Sequence, residues 1–157
     1  MPIIHLTTYI NGPADRVFDL SRSIHLHQRS MDRYKETAVA GTTTGLIRLN
    51  ETVTWKARHL GKERMMRVKI TQMDPSRSFT DEMLDGDLKK MKHEHHFKQV
   101  DNGTIMIDLF YFEIPYGWLG KMLGQLFLTR YFRRLLELRN ATIKEYAESG
   151  KWQHVLK

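Results

Sequence analysis

The clearest indication of the fold comes from residues 89–117, KKMKHEHHFKQVDNGTIMIDLFYFEIPYG. Two alternating runs flank the tripeptide Asp-Asn-Gly at 101–103, and asparagine and glycine tolerate the positive φ that tight hairpin turns require. The stretch therefore predicts two antiparallel strands joined by a turn at Asn102 and Gly103. That turn sets the register of three cross-strand pairs: Phe97 with Asp108, His95 with Phe110, and His93 with Phe112.

The two-residue period of a strand sorts the side chains of this hairpin into two faces. The histidine face carries Met91, His93, His95, Phe97, Asp108, Phe110 and Phe112. The other face of the last strand is also apolar, with Ile105, Ile107, Leu109 and Tyr111. Alternation alone leaves open which face lines a core, and we expect the histidine face to be the concave one because it carries more aromatic rings.

The rest of the chain predicts one α+β domain over residues 1–157 around this hairpin. Alternating runs at 3–11, 51–60, 64–73 and 78–84 indicate further antiparallel strands. Two short helices are predicted at 13–23 and 24–31, and a long helix at about 119–148, where apolar residues recur with a 3.6-residue period. A curved antiparallel sheet that encloses one long helix is the simplest way to bury these faces.

The composition limits the classes of protein. The chain has 157 residues, 41% of them hydrophobic, no cysteine and no apolar run of membrane-spanning length. With no secretion signal in its first residues, the expected location is the cytoplasm. The net charge of +7 would suit an anionic partner, but the basic residues are scattered and lack interleaved aromatic platforms, so we expect no nucleic-acid binding. The densest basic run, residues 129–139, is interpreted as a solvated helix face.

Four segments resemble the helix-grip superfamily abbreviated SRPBCC, which includes START lipid-transfer domains, pollen allergens and bacterial polyketide cyclase/dehydrase-like proteins. They are FTDEMLDG (79–86), MKHEHHF (91–97), GTIMIDLFYFEIPYGWLG (103–120) and RYFRRLLELRN (130–140). The chain looks like the bacterial ligand-binding branch over nearly its whole length. The resemblance implies six or seven strands wrapped around a C-terminal helix and a small hydrophobic or amphipathic ligand between them. It supplies no established catalytic set, and we expect no cofactor and no metal.

The candidate ligand-binding residues combine apolar and polar side chains. They are Trp55, Met66, Asp81, Met91, His93, His95, Phe97, Asp108, Phe110 and Phe112. A buried polar group without a partner costs about 1–3 kcal/mol, so the histidines and carboxylates should be paired. Four interpretations remain open: a network that fixes strand register, orientation of a ligand, acid–base catalysis, and a metal site. If the protein were a cyclase or dehydratase, which we do not expect, His93, His95 and Asp108 would move the protons.

Two surfaces predict partners other than the ligand. The second apolar face of the last strand, which Ile3 and Tyr9 would extend, suggests a homodimer or an interaction module with an incidental cavity. The segment 116–134 places Trp118, Leu119, Met122, Leu126 and Phe127 near arginines. This combination could touch an anionic membrane, but we expect these residues to cap the cavity. The loops at 41–45 and 115–120 are expected to form its entrance.

Overall fold

The computed structural model describes residues 2–115 and 121–156, the side chain of Lys121 excepted. Strand β1 (Ile3–Ile10) leads into helices α1 (Ala14–Ser21) and α2 (Ile24–Ser30) and a 3-10 helix (Asp32–Tyr34). Six strands follow: β2 (Thr37–Gly41), β3 (Thr52–His59), β4 (Lys62–Asp74), β5 (Ser78–Asp85), β6 (Lys90–Val100) and β7 (Gly103–Glu113). Helix α3 (Lys121–Glu148) and a 3-10 helix (Gly150–His154) complete the chain.

The seven strands form one antiparallel sheet in the order β1-β7-β6-β5-β4-β3-β2. Strands β2 to β7 neighbour one another in chain order, and β1 closes the far edge by pairing with β7. The predicted fold class is confirmed: a helix-grip arrangement with two short helices after the first strand and a long C-terminal helix. Strand β2, with the sequence TAVAG, was not predicted, because these residues do not alternate clearly between apolar and polar.

The predicted register of the β6–β7 hairpin is wrong by two residues. The structure pairs His93 with Phe110 and His95 with Asp108, and it closes the hairpin with Val100 opposite Gly103. Gly103 therefore belongs to the strand, and a Cβ there would lie 2.3 Å from the carbonyl oxygen of Ile10 in β1. Glycine is needed for this close approach rather than for the turn. A shift of two keeps every side chain on its predicted face.

The core lies between the concave face of the sheet and the three helices. Phe18 of α1 packs edge-on against Phe79 and Phe97, with ring centroids 5.6 and 5.4 Å apart. On α3, a stripe at helical spacing is buried: Leu136, Arg139, Asn140, Ile143 and Ala147. The histidine face of β6 and β7 is the concave, buried one, as the aromatic content predicted.

The other face of β7 is only half-buried, and it is flanked on β1 by Ile3 (55% exposed) and Tyr9 (47% exposed). The predicted homodimer through this face stays a prediction. Among the described residues, no helix is long and apolar enough to cross a membrane.

Candidate functional site

A cavity of about 480 Å³ lies between the concave face of the sheet and helix α3. Its wall is mainly apolar, with side chains from β3, β4, β6, β7 and α3: Val53, Trp55, Ala57, Met66, Val68, Ile70, Met91, Phe110, Leu128, Phe132, Leu135 and Leu136. Leu60, Met65 and Phe127 line it while remaining about half exposed, so they mark its open side. Volumes of this size suit small-molecule ligands.

The opposite, buried side of the cavity holds six polar side chains, which we call the inner polar cluster. They are Asp81 of β5, His93 and His95 of β6, Asp108 of β7, and Arg139 and Asn140 of α3. Of these six, Asp81, His93, His95 and Arg139 line the cavity. The cluster ties three neighbouring strands to the helix across the core.

Asp108 is the centre of this cluster and is 0% exposed. Its Oδ1 lies 2.7 Å from Nε2 of His93, and its Oδ2 accepts a hydrogen bond of 2.7 Å from Nδ2 of Asn140. The guanidinium of Arg139 lies 3.7 Å away. Burial alone would raise the pKa of Asp108, but the hydrogen bond from His93 and the nearby positive charges hold that pKa below its usual range. Asp108 is therefore a carboxylate, and Nε2 of His93 carries the hydrogen that it accepts.

His95 occupies the next inward position on β6 and links the carboxylate of Asp81 with the helix. Its Nε2 lies 2.8 Å from Oδ2 of Asp81, and its Nδ1 lies 3.4 Å from a guanidinium nitrogen of Arg139. Burial, together with the charges of His93 and Arg139, lowers the pKa of His95 well below its ordinary value. Because the guanidinium can only donate, Nδ1 of the neutral ring accepts and Nε2–H donates to Asp81.

Aromatic stacking fixes the planes of both histidines. The rings of His93 and His95 stack with centroids 3.7 Å apart, and Phe79 stacks on the other side of His95 at 4.0 Å. Phe110 meets His93 edge-on at 5.3 Å. Rings held on both sides have little freedom to reorient, so the directions of their nitrogen atoms are preset.

Arg139 also makes polar contacts on its own helix and on α1. One guanidinium nitrogen donates to Oδ1 of Asn140 at 3.1 Å, and another donates to the carbonyl oxygen of Ser21 at 3.1 Å. Burial lowers the pKa of Arg139, while Asp108 and Asp81 oppose that effect. Arginine nevertheless stays charged in proteins, so Asp108 and Arg139 form a buried pair whose charges cancel.

Arg139 and Asn140 are the site residues that the sequence interpretation missed. The basic run at 129–139 was interpreted as a solvated face, and this holds for the exposed Arg130, Arg133 and Arg134 but is wrong for Arg139, which is 5% exposed. The available signal was the helical spacing of Arg139 and Asn140 with Leu136, Ile143 and Ala147. A charged residue on the apolar stripe of a helix calls for a buried partner.

The structure brings seven of the ten candidate ligand-binding residues to the cavity wall. They are Trp55, Met66, Asp81, Met91, His93, His95 and Phe110. The other three lie behind it: Phe97 packs in the core against Phe18 and Phe79, Phe112 is fully buried, and Asp108 reaches the cavity only through His93 and His95. The predicted cap residues Met122 and Leu126 are exposed, while Trp118, Leu119 and Gly120 lie outside the described residues.

Asp81, His93 and His95 also have the residue types of a metal site, with one possible ligand atom from each lying within 4.8 Å of the others. The arrangement suits a divalent cation poorly. Nε2 of both histidines is hydrogen-bonded to a carboxylate, and the guanidinium of Arg139 faces the remaining nitrogen of His95. A cation bound there would lie beside the positive charge of Arg139.

A second group of polar side chains, the mouth cluster, consists of Tyr34, His59 and Tyr131. The hydroxyl of Tyr131 on α3 lies 2.8 Å from Nδ1 of His59 at the end of β3. The ring of Tyr34 stacks on His59 at 4.9 Å. Burial lowers the pKa of His59 and raises that of Tyr131, so the neutral phenol donates to the neutral imidazole.

Comparison with known proteins identifies the fold. No protein-family model matches the sequence, and no curated protein matches it. A protein from Thermus thermophilus superposes with a TM-score of 0.71 at 17% identity, covering 90% of this chain and 97% of that one. A START superfamily protein from Mycobacterium smegmatis gives 0.70 at 11% identity, covering 93% and 97%. Major latex-like protein 151 from Panax ginseng gives 0.69 at 12% identity, covering 94% and 98%. The chain therefore has the START-like helix-grip fold of the SRPBCC proteins.

Proposed function

We propose that the protein binds a small hydrophobic or amphipathic molecule in the cavity between the sheet and α3. The observation that supports this most strongly is a mainly apolar space of about 480 Å³ that ends at a buried, charge-compensated polar cluster. Trp55, Met66, Met91 and Phe110 supply apolar surface, while Asp81, His93 and His95 orient the ligand. The START-like fold of the similar structures is compatible with this proposal.

Replacing water by hydrocarbon in an apolar cavity is favourable in free energy. Burial of apolar surface contributes about 25 cal/mol for each Å² removed from water, and a ligand would bury its own surface and that of the wall together. The methionines at Met65, Met66 and Met91 add adaptable surface, because the unbranched thioether side chain adjusts to irregular shapes. Shape selectivity is therefore expected to be modest.

Native mass spectrometry tests the proposal directly. The protein as purified, and again after incubation with an apolar extract of its host cells, should carry a discrete adduct that organic solvent releases. Ala57→Phe fills the cavity from a buried lining position on β3 and should abolish the adduct. Ala141→Phe, at an exposed position on α3, is the matched control and should retain it. Absence of any adduct from wild type in both samples would refute the proposal.

An enzyme that works by acid–base chemistry is the second candidate function. The observation that favours it is the His93–Asp108 pair at 2.7 Å, in which a buried carboxylate orients an imidazole that lines the cavity. Such a pair can move protons in a cyclisation or a dehydration. This candidate requires that incubation with the extract yields a released compound of changed mass with wild type, and that His93→Phe binds the starting compound without changing it.

A further inference from the structure

The inner polar cluster presents two polar atoms to the ligand that no described side chain or backbone group engages. They are Nδ1 of His93 and Oδ1 of Asp81, since the hydrogen bonds found for these residues use Nε2 and Oδ2. Neither atom appears among the fully buried, unsatisfied polar atoms of the described residues, so both keep accessible surface. The two residues line the cavity, which places these atoms where a ligand can reach them.

The chemistry of the two side chains determines which hydrogen bonds these two atoms can make. Asp108 and Arg139 cancel each other's charge. A carboxyl oxygen or an imidazole nitrogen accepts a hydrogen bond when it is bare and donates one when it carries a hydrogen. Asp81 and His93 therefore offer the ligand positions that can each be met by a group able to donate and to accept.

From this arrangement we infer that the ligand class is an apolar molecule carrying one uncharged hydroxyl group, held between Asp81 and His93. A hydroxyl both donates and accepts, so it can bond to either of these atoms, whichever carries a hydrogen, without adding charge. One polar atom from each of Asp81 and His93 lies within 4.8 Å of the other, so the two side chains are close enough for a single small polar group to contact both. The inference rests on the proposed function and names the chemistry of the same cavity.

Charged head groups fit this cluster less well. A carboxylate would bring a second negative charge beside Asp81, and Arg139 cannot compensate it because its guanidinium already bonds Asn140 and Ser21. An ammonium group would add a positive charge beside Arg139. An isolated charge in an apolar cavity carries a large desolvation cost, so the neutral alcohol should be preferred over both ions.

The test measures four ligands with the same ten-carbon chain: 1-decanol, decyl methyl ether, decanoate and decylamine. Their affinities for the full chain at pH 7 are obtained by displacement of the fluorescent probe 1-aminoanthracene. The alcohol should bind about tenfold more tightly than the ether, which lacks the donor, because a hydrogen bond to a charged partner contributes about that factor. Decanoate and decylamine should both bind more weakly than the alcohol.

Two variants test whether Asp81 and His93 cause the preference for the alcohol over the ether. The alcohol-to-ether ratio should fall to within about twofold of unity in whichever of Asp81→Leu and His93→Phe removes the group that accepts the hydroxyl hydrogen, because the ether lacks only that donor. The other variant should weaken alcohol and ether alike, and a wild-type ratio in both variants would overturn the inference. Ala141→Phe, at an exposed position on α3, lies outside the cavity and should leave the ratio at its wild-type value. The ratio is insensitive to a uniform loss of affinity, and circular dichroism confirms that each variant is folded.

Each outcome separates this inference from the proposed function. Equal binding of alcohol and ether by wild type would overturn the hydroxyl inference while supporting a cavity for apolar ligands. Tighter binding of decanoate than of decanol would also overturn it and would identify Arg139 as the residue that recognises the ligand. Failure of all four compounds and of the probe to bind would count against the proposed function itself, and the hydroxyl inference would fall with it.

Discussion

The inner polar cluster and the mouth cluster both join helix α3 to the sheet through a histidine, but they do so by different physics. At the inner end, two opposite charges, Asp108 and Arg139, are buried together beside the neutral ring of His95. At the mouth, His59 is held by one hydroxyl and by ring stacking while it stays half-buried. The contact between sheet and helix is therefore charge-compensated where water is excluded, and it needs only neutral contacts where water remains near.

Removal of the central charge of the inner polar cluster should have the largest effect on stability. Asp108→Ala leaves Arg139 as an uncompensated buried cation and deprives His93 and Asn140 of their acceptor. Breaking a buried pair in this manner costs about 3–5 kcal/mol, and we expect a loss of that size in the free energy of unfolding measured by urea denaturation.

Asp101→Ala is the matched control for this prediction. Asp101 lies exposed in the β6–β7 turn, so its removal should change the free energy of unfolding by less than about 0.5 kcal/mol. A loss of similar size in both variants would show that Asp108 has no special role in holding the helix to the sheet.

The second prediction compares the two clusters through the pH dependence of stability. The pKa of His95 is lowered in the folded chain. Below about pH 6.5, the ordinary pKa of histidine, the unfolded chain therefore binds a proton at His95 and the folded chain does not. Stability should therefore fall on acidification from pH 7 to about pH 5.5, by at most about 1.4 kcal/mol per pH unit from this group. His59 acts with the same sign but less strongly because it is half-buried.

The measurement is the free energy of unfolding at both pH values for wild type, His95→Phe and His59→Phe. His95→Phe should flatten the pH dependence more than His59→Phe does. The raised pKa of Asp81, caused by burial, has the opposite sign and acts between the unfolded-state and the folded-state pKa of that group. The lowered pKa of Asp108 contributes its own loss only below about pH 4. An unchanged slope in His95→Phe would contradict the assignment of His95 as a neutral, buried ring.

The sequence predicted which face of the β6–β7 hairpin carries the inner polar cluster, but it did not predict the residues of α3 that complete the cluster. A period of two placed His93, His95 and Asp108 on one face, and that result survives the two-residue error in register. The error arose because Gly103 was assigned to the turn, whereas it is the close approach of β1 that requires glycine. This contact joins strands that are far apart in the chain, so the local sequence pattern does not predict it.

The helix partners were missed for a different reason. Arg139 belongs to a basic run, and a basic run on a helix typically faces solvent. Its burial depends on the rotation of α3 against the sheet, which is set by tertiary packing rather than by composition. Met122 and Leu123 on the first turns of α3 show the opposite case, because they follow the apolar period of the helix and are nevertheless exposed. Periodicity alone therefore does not determine which residues of this helix are buried.

The smallest expected effect lies at the mouth, where Tyr131→Phe removes only the hydroxyl that donates to His59. A neutral hydrogen bond contributes about 0.5–1.5 kcal/mol, and the value should fall at the lower end because half-buried His59 can bond to water instead. Tyr111→Phe on the convex face is the control, since no hydrogen bond of its hydroxyl is found among the described residues. Urea denaturation of both variants beside wild type gives the comparison. A loss at Tyr131 as large as that of Asp108→Ala would show that the mouth cluster holds α3 to the sheet as firmly as the buried charges do, and the distinction between the two ends would then fail.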